Sequence, residues 1–312
     1  MGTPQMGHQS RLAFDTGAAG AGDGHHVIGD FNSDSKEFEY LSENVVLSQT
    51  RFHSDGIRGT RSRHEARCRI TQEAVGGTIT MHPTQVELDT LLPLILGANE
   101  VSTDTFNVAE TIPSFGILID RVQKRFCYSK CVVSSATFSA SAGGPLQLSM
   151  EIVGQKETVS GTAFPTVGAL ATDAPFIMAD TAISLAADAS ATELASFSIT
   201  VNNMVNAGRF MNSLTRTATP SGGREVTVQL AVPYTADEVD LYNTALSAYD
   251  NSYILIDPGG SNPNIKFTFG GIEFGAQSPT VSSKGDEYSL NLSGVAYKTA
   301  SANELVVVNA AT

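Results

Sequence analysis

Six histidines, three cysteines, twelve arginines and a scatter of paired carboxylates are the residues of this chain whose types could do chemistry. A metal centre needs several of these groups at ligand spacing. His25 and His26 sit together in a Gly/Ala/Asp-rich stretch, His53 and His64 flank an arginine-rich segment, and His82 precedes Pro83. None has a helical i, i+4 partner or a carboxylate at ligand spacing, so no metal and no cofactor are expected. The chain holds no G-x-S-x-G, no phosphate-binding P-loop and no G-x-G-x-x-G after a strand, and no cysteine with a histidine in a recognisable context. No catalytic residue is assigned, and the chain reads as a protein that is not an enzyme. Cys127 and Cys131, four residues apart on a predicted strand, would have Cα atoms about 13 Å apart, beyond disulfide reach. Together with Cys68 they read as buried thiols of a protein made in a reducing cytoplasm.

The arginines are unevenly placed. Arg51, Arg58, Arg61, Arg63, Arg67 and Arg69 share one short stretch with only Asp55 and Glu65, which makes that stretch +4 and leaves −17 elsewhere in a chain of net charge −13. A nucleic-acid site would want interleaved aromatics, and only Phe52 is near. Arginine rather than lysine is favoured where carboxylates are met in bidentate geometry at interfaces. These six arginines are therefore the candidate subunit interface, with a solvated loop as the plain alternative. The acidic remainder repels nucleic acid at long range.

The elements around this stretch repeat. Residues 84–95 read TQVELDTLLPLI and residues 235–246 read TADEVDLYNTAL, at an offset of 151. Thr84 with Glu87, and Thr235 with Glu238, predict capping boxes at the starts of two helices. The strand before each helix keeps its parity: Val75, Gly77, Ile79 and Met81 match Val226, Val228, Leu230 and Val232. Leu146-Gln147-Leu148-Ser149 and Leu290-Asn291-Leu292-Ser293 form a third landmark at an offset of 144. Three matches in one order argue for an internal duplication. Pro93 should bend or end the first helix, and Gly97 is placed to terminate it.

With 312 residues, no tryptophan, 16% charged residues and abundant Gly, Ser, Thr, Ala and Val, the composition suits β-structure with many turns and surfaces that other subunits cover. The expected fold is α+β, mainly β: two tandem homologous β-sandwich or barrel-like units, each with one flanking α-helix. The expected division is a flexible N-terminal arm at 1–35, a first unit at 36–157, a linker at 158–191, a second unit at 192–300 and a C-terminal tail at 301–312. The start lacks the apolar core of a signal peptide, and the longest apolar run, 91–96, is too short to span a bilayer, so no membrane insertion is expected.

The strand, long loop, strand, helix and hairpin order, with the block GGTITMHPTQVELDTLLPLILG at 76–97, resembles the tail tube (major tail) proteins of long-tailed bacteriophages. The resemblance implies a structural role: rings stacked into the channel through which the genome leaves the capsid for the host. It implies the chain itself as principal partner, other tail proteins at the tube ends, and genomic DNA passing without specific binding. It also implies a place in the virion tail, after synthesis and assembly in the host cytoplasm. Most members carry one unit per chain and form hexamers. The duplication here resembles the variant in which three chains build a pseudo-sixfold ring, with a homohexamer as the alternative. A β-structured capsid decoration or adhesion protein, and a hydrolase with an unrecognised site, would share the composition.

Overall fold

The computed structural model describes residues 6–17, 27–57, 59–97, 100–102, 104–184, 193–234, 249–250, 252–256, 264–275, 278–281, 283–285 and 287–310. Strands β1 (Arg11–Asp15), β2 (Lys36–Phe38), β3 (Ser42–Glu43), β4 (Val46–His53) and β5 (Cys68–Met81) lead to the helix α1 (Gln85–Leu96). After it come β6 (Thr105–Asn107), β7 (Phe115–Asp120), β8 (Arg125–Ser141), β9 (Gln147–Gly154) and β10 (Lys156–Ser160). The chain continues through β11 (Thr181–Ser184), β12 (Ser196–Asn202), β13 (Glu225–Pro233), β14 (Tyr249–Asp250) and β15 (Tyr253–Ile256). It ends with β16 (Asn264–Thr268), β17 (Gly271–Gly275), β18 (Ser289–Tyr297) and β19 (Val306–Ala310). The fold is mainly β, built from two sheets, neither of which closes into a barrel among the described residues.

Pairing in the first half recurs in the second. In the first, β5 lies between β4 and β9, and β9 pairs β8. In the second, β13 lies between β12 and β18, and β18 pairs β17. The flanking layer repeats as well: β1 pairs β7, which pairs the first half of β8, which pairs β10. Its counterpart is β11, β15, β16 and β19. β8 serves both layers because it bends. Lys130 has φ 49°, and the register shifts again between Val133 and Ser135, two irregularities that turn one long strand into two.

The two sets of strands are joined edge to edge. Residues 135–141 of β8 pair antiparallel with all of β12, from Ser135 opposite Asn202 to Ser141 opposite Ser196. The order β4–β5–β9–β8–β12–β13–β18–β17 is thus one continuous sheet across both halves. Alternation decides which face is covered: Phe197, Ile199 and Val201 of β12, Val226, Val228, Leu230 and Val232 of β13, and Leu290 and Leu292 of β18 are all buried. They meet the second sheet, with the ring of Phe138 on β8 5.1 Å from that of Phe267 on β16.

Helix α1 plugs the core beside this junction. Leu88, Leu91, Leu92 and Ile95 are fully buried, each contributing about 1.5–3 kcal/mol of apolar transfer. Thr84 Oγ1 accepts the Glu87 amide at 3.4 Å, and the Glu87 carboxylate accepts the Thr84 amide at 2.9 Å. The helix does not stop at Pro93. It runs on to Leu96, because a proline so near the end removes little of the ladder, and Gly97 closes it with φ 88°. Thr235 and Glu238 lie outside the described residues.

Several expected boundaries differ from the observed strands. The stretch expected as an N-terminal arm contains β1, whose Leu12, Ala13 and Phe14 are fully buried. Its apolar run is only three residues long, too short to show a period, and it gains its place by pairing with β7. The stretch expected as a linker contains β11, and that expected as a tail contains β19. The third landmark slips by two residues: Ile79 opposes Met150, whereas Leu230 opposes Leu292, so Leu148 corresponds to Leu290. A two-residue slip keeps every side chain on its face.

Candidate assembly surfaces

Three surfaces stand out. The first is the uncovered face of the long sheet. One row of directly opposed residues runs across five strands as Thr80, Ser149, Thr137, Thr200 and Thr227, then reaches Val295 and Glu273. A second row runs Gln147, Ser139, Ser198, Gln229 and Ser293. A third begins Glu151, Ser135, Asn202 and Glu225. Apart from Val295, these rows are hydroxyls, amides and a few carboxylates, with no lysine or arginine. Such a wall offers hydrogen bonds everywhere and positive charge nowhere, so a polyanion finds no counterion in it.

The second surface is the pair of sheet ends. β3 and β4 bond only to β5, and at the other end β17 bonds to β18 and to the two-residue β14. Exposed strand edges template further pairing.

The third is the arginine-rich hairpin. β4 and β5 pair as a two-stranded arm out to His53 opposite Cys68, and almost every residue on it is exposed. An isolated two-stranded ribbon is marginal in water. Arg51 and Arg69 lie on its strands, and Arg61, Arg63 and Arg67 in or beside its connecting loop, all exposed, while Arg58 lies outside the described residues. Arg63 pairs with Asp55 at 3.1 Å, both largely in solvent, where such a pair contributes little. Cys68 is exposed, contrary to the expectation of three buried thiols, because it sits at the far end of this arm. Its sulfur lies 2.9 Å from His53 Nδ1. Cys127 and Cys131 are buried, and burial pushes the Cys127 thiol up to about 12. Among the described residues no three of His, Cys, Asp and Glu gather as a metal set.

Sequence reasoning missed Arg216, which anchors the 203–224 connection between β12 and β13. Its guanidinium donates to the carbonyls of Val75, Gly154 and Ala207, and Glu73 N–H donates to Leu214 O. Burial lowers its pKa. Nothing local to residue 216 marks it, because Val75 and Gly154, which accept from its buried end, come from the other half. Arg121 is a second such anchor, holding Glu43 with two hydrogen bonds and the Val45 carbonyl with a third.

No helix among the described residues is long and apolar enough to cross a membrane. A family model described as phage tail tube protein matches residues 8–296. A comparison with curated proteins finds no match.

Proposed function

The chain belongs to the phage tail tube protein family, and on that premise we propose that it builds the tail tube from rings of three chains, each supplying two similar units. The division into units is drawn from the repeated pairing order: β1 to β5, α1 and β7 to β10 form the first unit and β11 to β19 the second, whose flanking sheet β6 extends by pairing with β19. The observation that carries the reading is the β8–β12 seam. It joins one unit to the next edge to edge inside the chain, and it leaves the edge at β3 and β4 and the edge at β17, where β14 pairs with Gly271 and Ile272 alone, for the same operation between chains. Closure of three chains removes every edge of the long sheet.

In such a ring the hydroxyl and amide rows line the bore, and their lack of lysine and arginine lets DNA pass without adhering. The arginine-rich hairpin faces carboxylates of the neighbouring ring, so that rings stack. Other tail proteins meet the tube at its two ends. The protein works without cofactor or catalysis, assembles in the host cytoplasm and resides in the virion tail.

Image symmetry of tubes assembled from the purified protein tests the count. Threefold symmetry with both units lining the bore supports the proposal. Sixfold symmetry with the second unit on the outside would replace it with a true hexamer.

A further inference from the structure

The seam inside the chain includes more than paired strands. The turn that joins β8 to β9 crosses from the first unit and seats itself in the second. Ala142 N–H donates to Ala195 O, Leu146 N–H donates to Phe176 O, and Met178 N–H donates to Gly144 O. Pro145 and Ile177 form an antiparallel bridge, and Leu146 is fully buried.

Ala195, Ile177 and Met178 of that seat have counterparts in the first unit. Ala195 N–H bonds to Ala231 O as Leu41 N–H bonds to Thr80 O, so Leu41 corresponds to Ala195. A three-residue 3-10 turn leads into β11 at Met178–Asp180, and another precedes β1 at Gly7–Gln9. Each opens with the same hydrogen bond, Asp180 N–H to Ile177 O and Gln9 N–H to Met6 O, so Met6 corresponds to Ile177. Met6, Gly7 and Leu41 line an open cavity of about 780 Å³ in the first unit. Met6 and Leu41 are 58% and 53% exposed. By the register of β9 and β18, the counterpart of Leu146 is Tyr288, which is 54% exposed.

We infer that this cavity receives residues 287–288, immediately before β18, of a second copy of the chain, with Tyr288 buried in it and Glu287 opposite Met6. The seat is empty in a single chain because its occupant belongs to the next one. Likewise Tyr288 is exposed because its seat lies on the neighbour. The inference rests on the ring proposed above and specifies its chain-to-chain contact.

The experiment uses the full chain with Cys68→Ser, so that the only exposed thiols are those introduced. Facing residues of an antiparallel bridge have Cα atoms about 4.5–5.5 Å apart, within disulfide range. Met6→Cys with Glu287→Cys should therefore yield covalent trimers on oxidation, read on a denaturing gel without reductant, while either substitution alone yields none. Tyr288→Ser should leave the circular dichroism unchanged and abolish rings, and Tyr288→Phe should keep them. Rings that form without the cross-link, and that tolerate Tyr288→Ser, would overturn the seat and leave the ring standing. A chain that forms no oligomer under any condition would overturn both.

Discussion

Thr137 of β8 and Thr200 of β12 lie directly opposite one another with their hydroxyl oxygens 3.0 Å apart. The two residues come from different halves of the chain, and their contact stands at the centre of the row that crosses the uncovered face of the sheet. One hydroxyl donates to the other, so the seam is satisfied without charge. A junction of this kind repeats without electrostatic penalty, which a row of like charges would not allow.

The arginine-rich hairpin should govern assembly and not folding. Arg58→Ser, Arg61→Ser and Arg63→Ser combined should raise the concentration needed for tube formation roughly tenfold, equivalent to ~1.4 kcal/mol. Light scattering of the wild type should also fall as salt rises from about 0.1 M to about 1 M, where the screening length shrinks from about 10 Å to about 3 Å. Equal assembly by the triple variant would make the loop a solvated one.

Removing the helix cap should cost stability in the isolated chain. Thr84→Ala leaves the Glu87 amide without its partner and should lower unfolding free energy by about 1 kcal/mol, with Thr84→Ser close to wild type. Urea titration followed by circular dichroism reads the difference, and an unchanged midpoint would mean that packing alone holds the first turn.

Glu87 carries a pH signature. Burial raises its carboxyl above the ordinary range, outweighing the hydrogen bonds from Thr84 that lower it. The folded state then binds more protons than the unfolded one, so this group's contribution is fully present below the unfolded carboxylate value and is lost as pH rises through the folded value. Glu87→Gln keeps an acceptor for the Thr84 amide and cannot ionise. Its urea midpoint should change less than that of the wild type between about pH 4 and about pH 7.5. A wild-type slope retained in the variant would assign the effect to other groups.

Gly77 marks a close approach of backbone. A Cβ there would lie 2.5 Å from the carbonyl oxygen of Asn44, beside the break between β3 and β4. Its counterpart Val228 packs against an unbroken β12. Gly77→Ala should therefore destabilise by about 1–3 kcal/mol through forced backbone displacement. A thermal midpoint within error of wild type would show that residues 44–45 yield freely.

The mainly β character, the capped helix at Thr84 and the core faces of β5, β13 and β18 were legible in the chain, because each depends on local alternation or on a hydrogen bond spanning three residues. The repeat was legible for the same reason, since Val226 to Val232 keep the parity of Val75 to Met81. β1 was not, because three apolar residues carry no period and acquire meaning only beside β7.

What the sequence by itself determined is therefore which side of each strand is covered and where its one described helix begins. Those properties follow from side-chain chemistry at fixed spacing. Only the tertiary structure decided that the two halves join through β8 and β12, that Arg216 is buried on carbonyls of the other half, and that Leu146 is covered while Tyr288 is exposed. Each of these is a contact between residues far apart in the chain, and a pleated strand carries no local mark of which edge it will meet.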